Sequence, residues 1–311
     1  MNDSSAVQST DAAPSESAII ELIEAELHRV GLEADFTDDC AHLDETTALV
    51  TTDAMVEGVH FDLNLDTPEQ VGTQAAVMNL SDLAASGGRA GWLTWALCLP
   101  VSWRMRHIQG LARGFCSTAA QYGARVVGGN LSRTTGPAVI TVTAGGRLAG
   151  RRPFRRDGAR VGDLLYVTGP LGNAALGFLE PDPATRAARH LWRPHLAEAG
   201  TLALWDGVSA AMDISDGLLI DAHRIGTASG VGIAIKTGAL PVTELYRSRC
   251  GQDRELALTG GEDYVLLFTA PADALPPVGY PVGRCLAEPG LWVDDAARPP
   301  HGFDHFGGGG D

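Results

Sequence analysis

Two hydrophobic periods alternate along this 311-residue chain, and that alternation constrains its fold more than any other feature. TALVTTDAMVEGVHF (47–61), RVVGGN (125–130), AVITVTAGGRL (138–148), DLLYVTG (163–169) and YVLLFTA (264–270) have the β-branched, alternating or continuous apolar patterns of strands. SAIIELIEAELHRVG (17–31), PEQVGTQAAVMNLSDLAASGG (68–88) and HIQGLARGFCSTAAQYG (107–123) carry helical spacing, the second opened by Pro68 and closed by Gly87–Gly88. Strands and helices are mixed in both halves, which points to α/β or α+β layers in each. The basic, turn-prone run RRPFRRDGARVGD (151–163) interrupts the alternation. The expected organisation is therefore a disordered leader over 1–16, an N-terminal α/β domain over 17–150 and a C-terminal α/β domain over 151–311 with a flexible glycine-rich tail.

Composition removes several function classes. The net charge of −15 repels nucleic acid and anionic membranes. Five scattered cysteines form no C-x-x-C, which argues for reduced thiols rather than a disulfide frame or a zinc site. The polar, acidic N-terminus lacks the basic start and apolar core of a signal peptide, so the expected location is the cytoplasm. GWLTWALCLPVSW (91–103), the longest uncharged apolar segment, is too short for a membrane span and contains Pro100. TGPLGNAALGF (168–178) lacks the Lys-Ser/Thr of a P-loop and the spacing of a dinucleotide fingerprint, and reads either as a site of close backbone approach or as a simple strand-to-helix turn. No G-x-S-x-G nucleophile turn occurs.

The positive signal is a set of carboxylates in apolar surroundings. On the second helix, Val71, Ala75 and Met78 mark a buried stripe, and the same steps carry it onto Asp82. A carboxylate there is either at a frayed helix end or a ligand. Asp38 and Asp39 precede Cys40–Leu43, and Asp53 follows ALVTT. AMDISDGLLID (211–221) holds Asp213, Asp216 and Asp221, and Glu262 and Asp263 follow Gly260–Gly261. Each alone reads as readily as a turn residue or helix cap. Together they are hard oxygen donors without sulfur or clustered imidazole, the set that suits Mg²⁺ held with substrate phosphates. The arginines at 151, 152, 155, 156 and 160 read as a solvated linker or as a phosphate clamp.

DDCAHL (38–43), TTDAMVEGVHF (51–61), MNLSDLAASG (78–87), VVGGN (126–130), RRDGARVGDLLYVTG (155–169), MDISDGLLID (212–221) and LTGGEDYVLLFT (258–269) resemble, in order and interval, the thiamine-monophosphate kinase family of the aminoimidazole ribonucleotide synthetase superfamily. The resemblance runs from about residue 17 to the tail. It implies a two-domain α/β subunit whose N-terminal sheet joins that of a second copy in a dimeric barrel. It also implies ATP-dependent phosphorylation of thiamine monophosphate to thiamine diphosphate, with several Mg²⁺ ions and no dedicated nucleophile. Carried over by position, Asp39, Thr51, Thr52, Asp53, Asp82, Asn130, Asp213 and Asp216 match metal ligands. Gly129, Asn130, Arg156 and Ser215 match ATP contacts; His60, Glu262 and Phe303 match contacts to the acceptor. Asp221 reads as solvated or structural.

The chain departs from the family pattern at Asn130, where GGN-L replaces GGD-T. An asparagine keeps the oxygen and loses the charge, so a catalytically degenerate binding protein stands beside the kinase as an alternative. Sister ATP-dependent enzymes of the superfamily use a cysteine at a chain end, and none of the five cysteines here is so placed.

Overall fold

Helix α1, Pro68–Ala85, organises the molecule, and its first turn shows why it starts where it does. Thr67 Oγ1 accepts the Gln70 N–H at 3.3 Å, Gln70 Oε1 accepts the Thr67 N–H at 2.8 Å, and Pro68 needs no amide partner there. Val71, Ala75, Ala76, Leu80, Leu83 and Ala84 are all buried, so the helix is enclosed on more than one face. The computed structural model describes residues 38–43, 48–180 and 182–303. The helix expected over 17–31, the leader and the glycines of the tail lie outside them.

One face of α1 covers a five-stranded sheet of β1 (Ala41–Leu43), β2 (Ala48–Val56), β3 (Gly88–Pro100), β4 (Arg125–Thr134) and β5 (Val139–Leu148), in the order β1-β2-β5-β3-β4. Pairing is antiparallel except between β3 and β4. Along β2, Leu49, Thr51 and Met55 face the helix, while Thr52 and Ala54 face outward. Helix α2, Met105–Gln121, crosses α1 backbone to backbone. A Cβ on Gly72 would strike the carbonyl of Leu111, and one on Gly114 the carbonyl of Glu69, so glycine at both positions sets the helix separation. Phe115 then reaches Trp95 on β3, with ring centroids 4.1 Å apart.

The second sheet has seven strands in the order β12-β11-β8-β10-β6-β9-β7. They are β6 (Leu164–Val167), β7 (Ala210–Asp213), β8 (Gly232–Ile235), β9 (Leu266–Ala270), β10 (Tyr280–Leu286), β11 (Leu291–Val293) and β12 (Ala296–Ala297). Both faces are covered, which is why β9 is apolar without alternation. Leu165, Val167 and Leu267 pack on one side with Leu218, Leu219 and Ile225 of helix α6, Leu218–Ser229. Tyr166, Leu266 and Phe268 pack on the other with Ala84 and Ala85 of α1 and with Ala199 and Leu202 of helix α5, Leu196–Trp205. Helix α1 is thus shared by the two sheets. Helices α3 (Asn173–Leu179), α4 (Pro183–Arg189), α7 (Glu244–Cys250) and α8 (Glu255–Thr259) complete the fold. Among the described residues, no helix is long and apolar enough to cross a membrane.

The mixed α/β architecture matches the expectation. Several elements were not anticipated, among them β7, β8, β10 and β11 of the second sheet and, in the first, GWLTWALCLP, which belongs to the 13-residue β3. Its near-continuous apolarity hides the alternation that identifies a half-exposed strand.

Candidate active site

A cleft of about 810 Å³ opens where α1, β2, the end of β7 and two glycine-containing turns converge. Asp82 comes to it from the last turns of α1. Val71 and Ala75 are buried, whereas Met78 and Asp82, next along the same stripe, line the cleft. Asp39 arrives from the segment before β1, and Asp213 ends β7. Carboxylate oxygens of Asp39, Asp82 and Asp213 all lie within 4.8 Å of one another.

This cluster holds more negative charge than its surroundings neutralise. Thr51 Oγ1 donates to Asp82 Oδ2 at 2.5 Å, Ser81 Oγ donates to Asp213 Oδ2 at 2.6 Å, and Arg156 Nη2 donates to Asp39 Oδ1 at 2.7 Å. Burial, then the charges of Asp53, Asp213 and Asp39, push the Asp82 carboxyl well above the ordinary carboxylate range. Burial and Asp39 do the same to Asp213. An uncompensated buried carboxylate costs several kcal/mol, so the arrangement is unfavourable without a cation. The donor set fits a hard divalent ion: it is oxygen throughout, with Thr51, Thr52 and Asp53 also lining the cleft. Cys40 lies beside it, but burial raises its thiol far above the usual value, and its Sγ donates to the Asp82 carbonyl at 3.4 Å. It stays a protonated packing residue.

The turn Asp213–Gly217 is shaped by two features of its sequence. Gly217 has φ +127°, and a Cβ there would press on the carbonyl of Thr259 in the neighbouring turn. Asp221 is fully buried, and its Oδ2 accepts the amides of Asp216 at 3.2 Å and Gly217 at 3.1 Å. Its carboxyl is pushed up to about 7 by burial and then Asp216, against the pull of Arg224. Of the two readings the sequence left open for Asp221, the structural one applies. Arg224 Nη1 bridges Asp221 Oδ1 at 2.7 Å and Asp216 Oδ2 at 2.6 Å.

His60, Glu262 and Phe303 line the same cleft, with Ser215 and Arg156. His60 Nδ1 accepts the Val56 amide at 3.0 Å, which makes Nε2 the donor of the neutral ring. The Glu262 amide donates to the Ser215 carbonyl at 2.7 Å, and Glu262 takes φ +64°. The Phe303 amide donates to the Asp216 carbonyl at 2.9 Å, which brings the last described residue onto the site. Asp263, grouped with the acidic set by sequence, is turned away. Its Oδ2 accepts the Gly172 amide at 2.8 Å and so serves the start of α3. That contact accounts for the glycine-rich turn TGPLGNAALGF, which is a strand-to-helix connection.

Gly129 and Asn130 do not line the cleft of the single chain. Both sit on β4, and the register Asn130–Ala96–Thr141–Ala54 puts Asn130 three strands from β2, about 14 Å away. Sequence reasoning also passed over Ser81, Gln74, Phe178, Tyr264 and Arg224. Gln74 had a readable signal: 74, 78 and 82 form one i, i+4 row on α1, polar at both ends. Arg224 lies three residues after Asp221, which is salt-bridge spacing on a helix. Phe178 carried no such signal.

Comparison with known proteins gives a consistent result. The family profile described as AIR synthase related protein, N-terminal domain, matches residues 37–148, and that described as AIR synthase related protein, C-terminal domain, matches 160–276. The chain is 36% identical over 275 residues to the thiamine-monophosphate kinase of Aquifex aeolicus, covering 83% of this chain and 88% of that one. It is 34% identical over 311 residues to the Escherichia coli thiamine-monophosphate kinase, covering 89% and 93%. Among solved structures, AaThiL complexed with AMPPCP and TMP superposes with a TM-score of 0.83 at 34% identity, covering 94% of this chain and 97% of that one. The hydrogenase maturation protein HypE of E. coli shares the fold at 19% identity and a TM-score of 0.66.

Proposed function

Because the chain belongs to the thiamine-monophosphate kinase family of AIR synthase related proteins, we infer that its acidic cleft performs that family's reaction. The protein is an ATP-dependent kinase that phosphorylates thiamine monophosphate to thiamine diphosphate, releasing ADP. The observation that carries the reading is the triad Asp39, Asp82 and Asp213, under-neutralised and opening on the same cleft as His60, Glu262 and Phe303.

Joining two phosphates brings several negative charges together, and the acceptor phosphate is already a nucleophile. Positioning and charge neutralisation therefore supply most of the acceleration. Mg²⁺, held by Asp39, Asp53, Asp82, Asp213 and Asp216 with Thr51 and Thr52, would supply that neutralisation. Thr51 and Ser81 fix the carboxylates of Asp82 and Asp213 by hydrogen bonds. Arg156, already against Asp39, would meet a nucleotide phosphate. His60, Glu262 and Phe303 take the acceptor. No residue forms a covalent phosphoenzyme. Protein stripped of divalent cations should lose turnover and regain it on adding Mg²⁺; full activity in chelator would contradict the assignment.

Gly129 and Asn130 enter this reading through a homodimer. β4 is a ten-residue edge strand, exposed almost throughout, with Val127 and Leu131 among its open apolar side chains. On the opposite edge, among the described residues, β1 pairs with residues 48–50 of β2, and that described pairing stops short of the stretch bearing Thr51 and Thr52. Pairing β4 of a second copy with that stretch would close two sheets into a barrel lined by Thr52, Thr94, Thr141 and Thr143, and would bring Asn130 of the second copy beside Asp53. A neutral ligand attracts Mg²⁺ less than a carboxylate does. Asn130→Asp should thus lower the Mg²⁺ concentration for half-maximal rate several-fold, with little change at saturating Mg²⁺. Identical titration midpoints for the two proteins would remove residue 130 from the metal site.

Phe303 is 44% exposed at the mouth of the cleft, and its ring can stack on the flat cationic acceptor, worth roughly 0.5–2 kcal/mol. Phe303→Ala is expected to raise KM for thiamine monophosphate several-fold and leave KM for ATP nearly unchanged. Equal changes in both would show that the segment acts through folding.

A further inference from the structure

Behind the acceptor side of the cleft lies a buried polar group that the reaction as described does not use. Arg189, at the end of α4, is 3% exposed. Its Nη1 donates to Asp66 Oδ1 at 2.6 Å, and His190 Nε2 lies 2.8 Å from the same oxygen. Gln70 Nε2 is 2.9 Å from His190 Nδ1, so the anchor of this arginine is tied to the first turn of α1. The other edge of the guanidinium faces the cleft wall. Nη2 makes no hydrogen bond and stands 3.9 Å from Glu262 Oε2, itself buried and without a hydrogen-bond partner. Glu262 Oε1 accepts from Gln74 Nε2 at 2.8 Å. The guanidinium also lies 3.5 Å from the ring centroid of Phe178, whose 43% exposed side chain lines the cleft.

One cation thus backs two lining groups, a carboxylate and an aromatic ring. We propose that Arg189 is a positioning residue for the acceptor, holding the Glu262 carboxyl aimed into the cleft and Phe178 in place, so that the cleft selects a heterocycle bearing an N–H donor. The inference rests on the reading of Glu262 as an acceptor contact. A carboxylate is an acceptor only, and a cation 3.9 Å behind it favours the charged form. Burial leaves Glu262 raised to about 7 even against the pull of Arg189 and then Gln74. The group that best meets a held carboxylate is an amine, which the aminopyrimidine ring of thiamine monophosphate carries. An acceptor presenting a carbonyl oxygen at that position would face like charge and an unmade hydrogen bond.

The test is a double-mutant cycle read on substrate discrimination. KM is measured with ATP and Mg²⁺ for thiamine monophosphate and for oxythiamine monophosphate, in which an oxo group replaces the ring amine. R189Q removes the cation and R189K keeps it on one ammonium; whichever melts as the native protein does enters the cycle with E262Q. Native protein should prefer the amine by about ten-fold or more. E262Q should shrink that preference, because an amide donates as well as accepts. The Arg189 variant should raise KM for thiamine monophosphate about ten-fold, leave KM for ATP within about two-fold, and shrink the preference too. The double variant should lose no more than E262Q alone. An Arg189 variant that shifts both KM values alike, or whose effect multiplies with that of E262Q, would make Arg189 merely structural. An E262Q preference equal to the native one would overturn the role of Glu262 itself, and absence of native turnover would overturn the reaction.

Discussion

Asp82→Asn and Asp213→Asn should each cut turnover by about 10²–10³-fold while raising the melting temperature of the metal-free protein. Both carboxylates are buried against like charge, and burial with Asp39 and the neighbouring aspartates raises their pKa in the folded state. An amide of the same shape removes that repulsion. It keeps an oxygen to accept from Thr51 or Ser81, so the local hydrogen bonds survive. At this chain length, each kcal/mol of relief moves the midpoint upward by about 2–4 °C. Activity falls because the charge that would draw the metal is gone. Activity assays beside calorimetry of the apo variants decide the point. A lower apo melting temperature with intact activity would make these residues structural.

The second large effect is a pH dependence of stability that Mg²⁺ reduces. Burial pushes Asp221, Glu262 and Asp263 up to about 7, and Asp82 and Asp213 are raised as well. Carboxyls of the unfolded chain lose their protons near 4, about three units lower. Between those values the folded state binds more protons than the unfolded one, so stability falls as pH rises from about 4 through about 7. The metal-free protein should melt several degrees higher at pH 5 than at pH 8. Mg²⁺ competes with protons for Asp82 and Asp213, so saturating Mg²⁺ should stabilise more at pH 8 than at pH 5 and flatten the profile. Melting curves across pH, with chelator and with Mg²⁺, read this out. A metal-free profile rising from pH 5 to pH 8 would contradict the charge balance of the cleft.

Asp82 shows what was legible in the sequence. A carboxylate on an apolar stripe is visible in one dimension because helical spacing predicts which face it shares. The glycines and aspartates of the two site turns were visible for the same kind of reason: a positive φ or a buried charge narrows the residue choice. Asp263 was misgrouped because a helix cap and a metal ligand have the same composition, and only the direction of the side chain separates them. The sequence assigned no element to the span between α3 and α5. Helix α4 there is short, and Arg189 takes its meaning from Asp66 and Glu262, which lie far away in the chain. Strand β3 was hidden by its apolarity, and the outward face of the first sheet by the absence of any pattern for a surface that a second copy would cover.

The central claim is that ATP's terminal phosphoryl group passes directly to thiamine monophosphate in an acidic cleft that requires a hard cation. Phosphorus NMR of the purified protein with both substrates, in chelator and after adding Mg²⁺, tests it most directly. The account predicts one thiamine diphosphate and one ADP formed per ATP consumed, only when Mg²⁺ is present. ATP consumed without thiamine diphosphate appearing, or equal conversion in chelator, would contradict it.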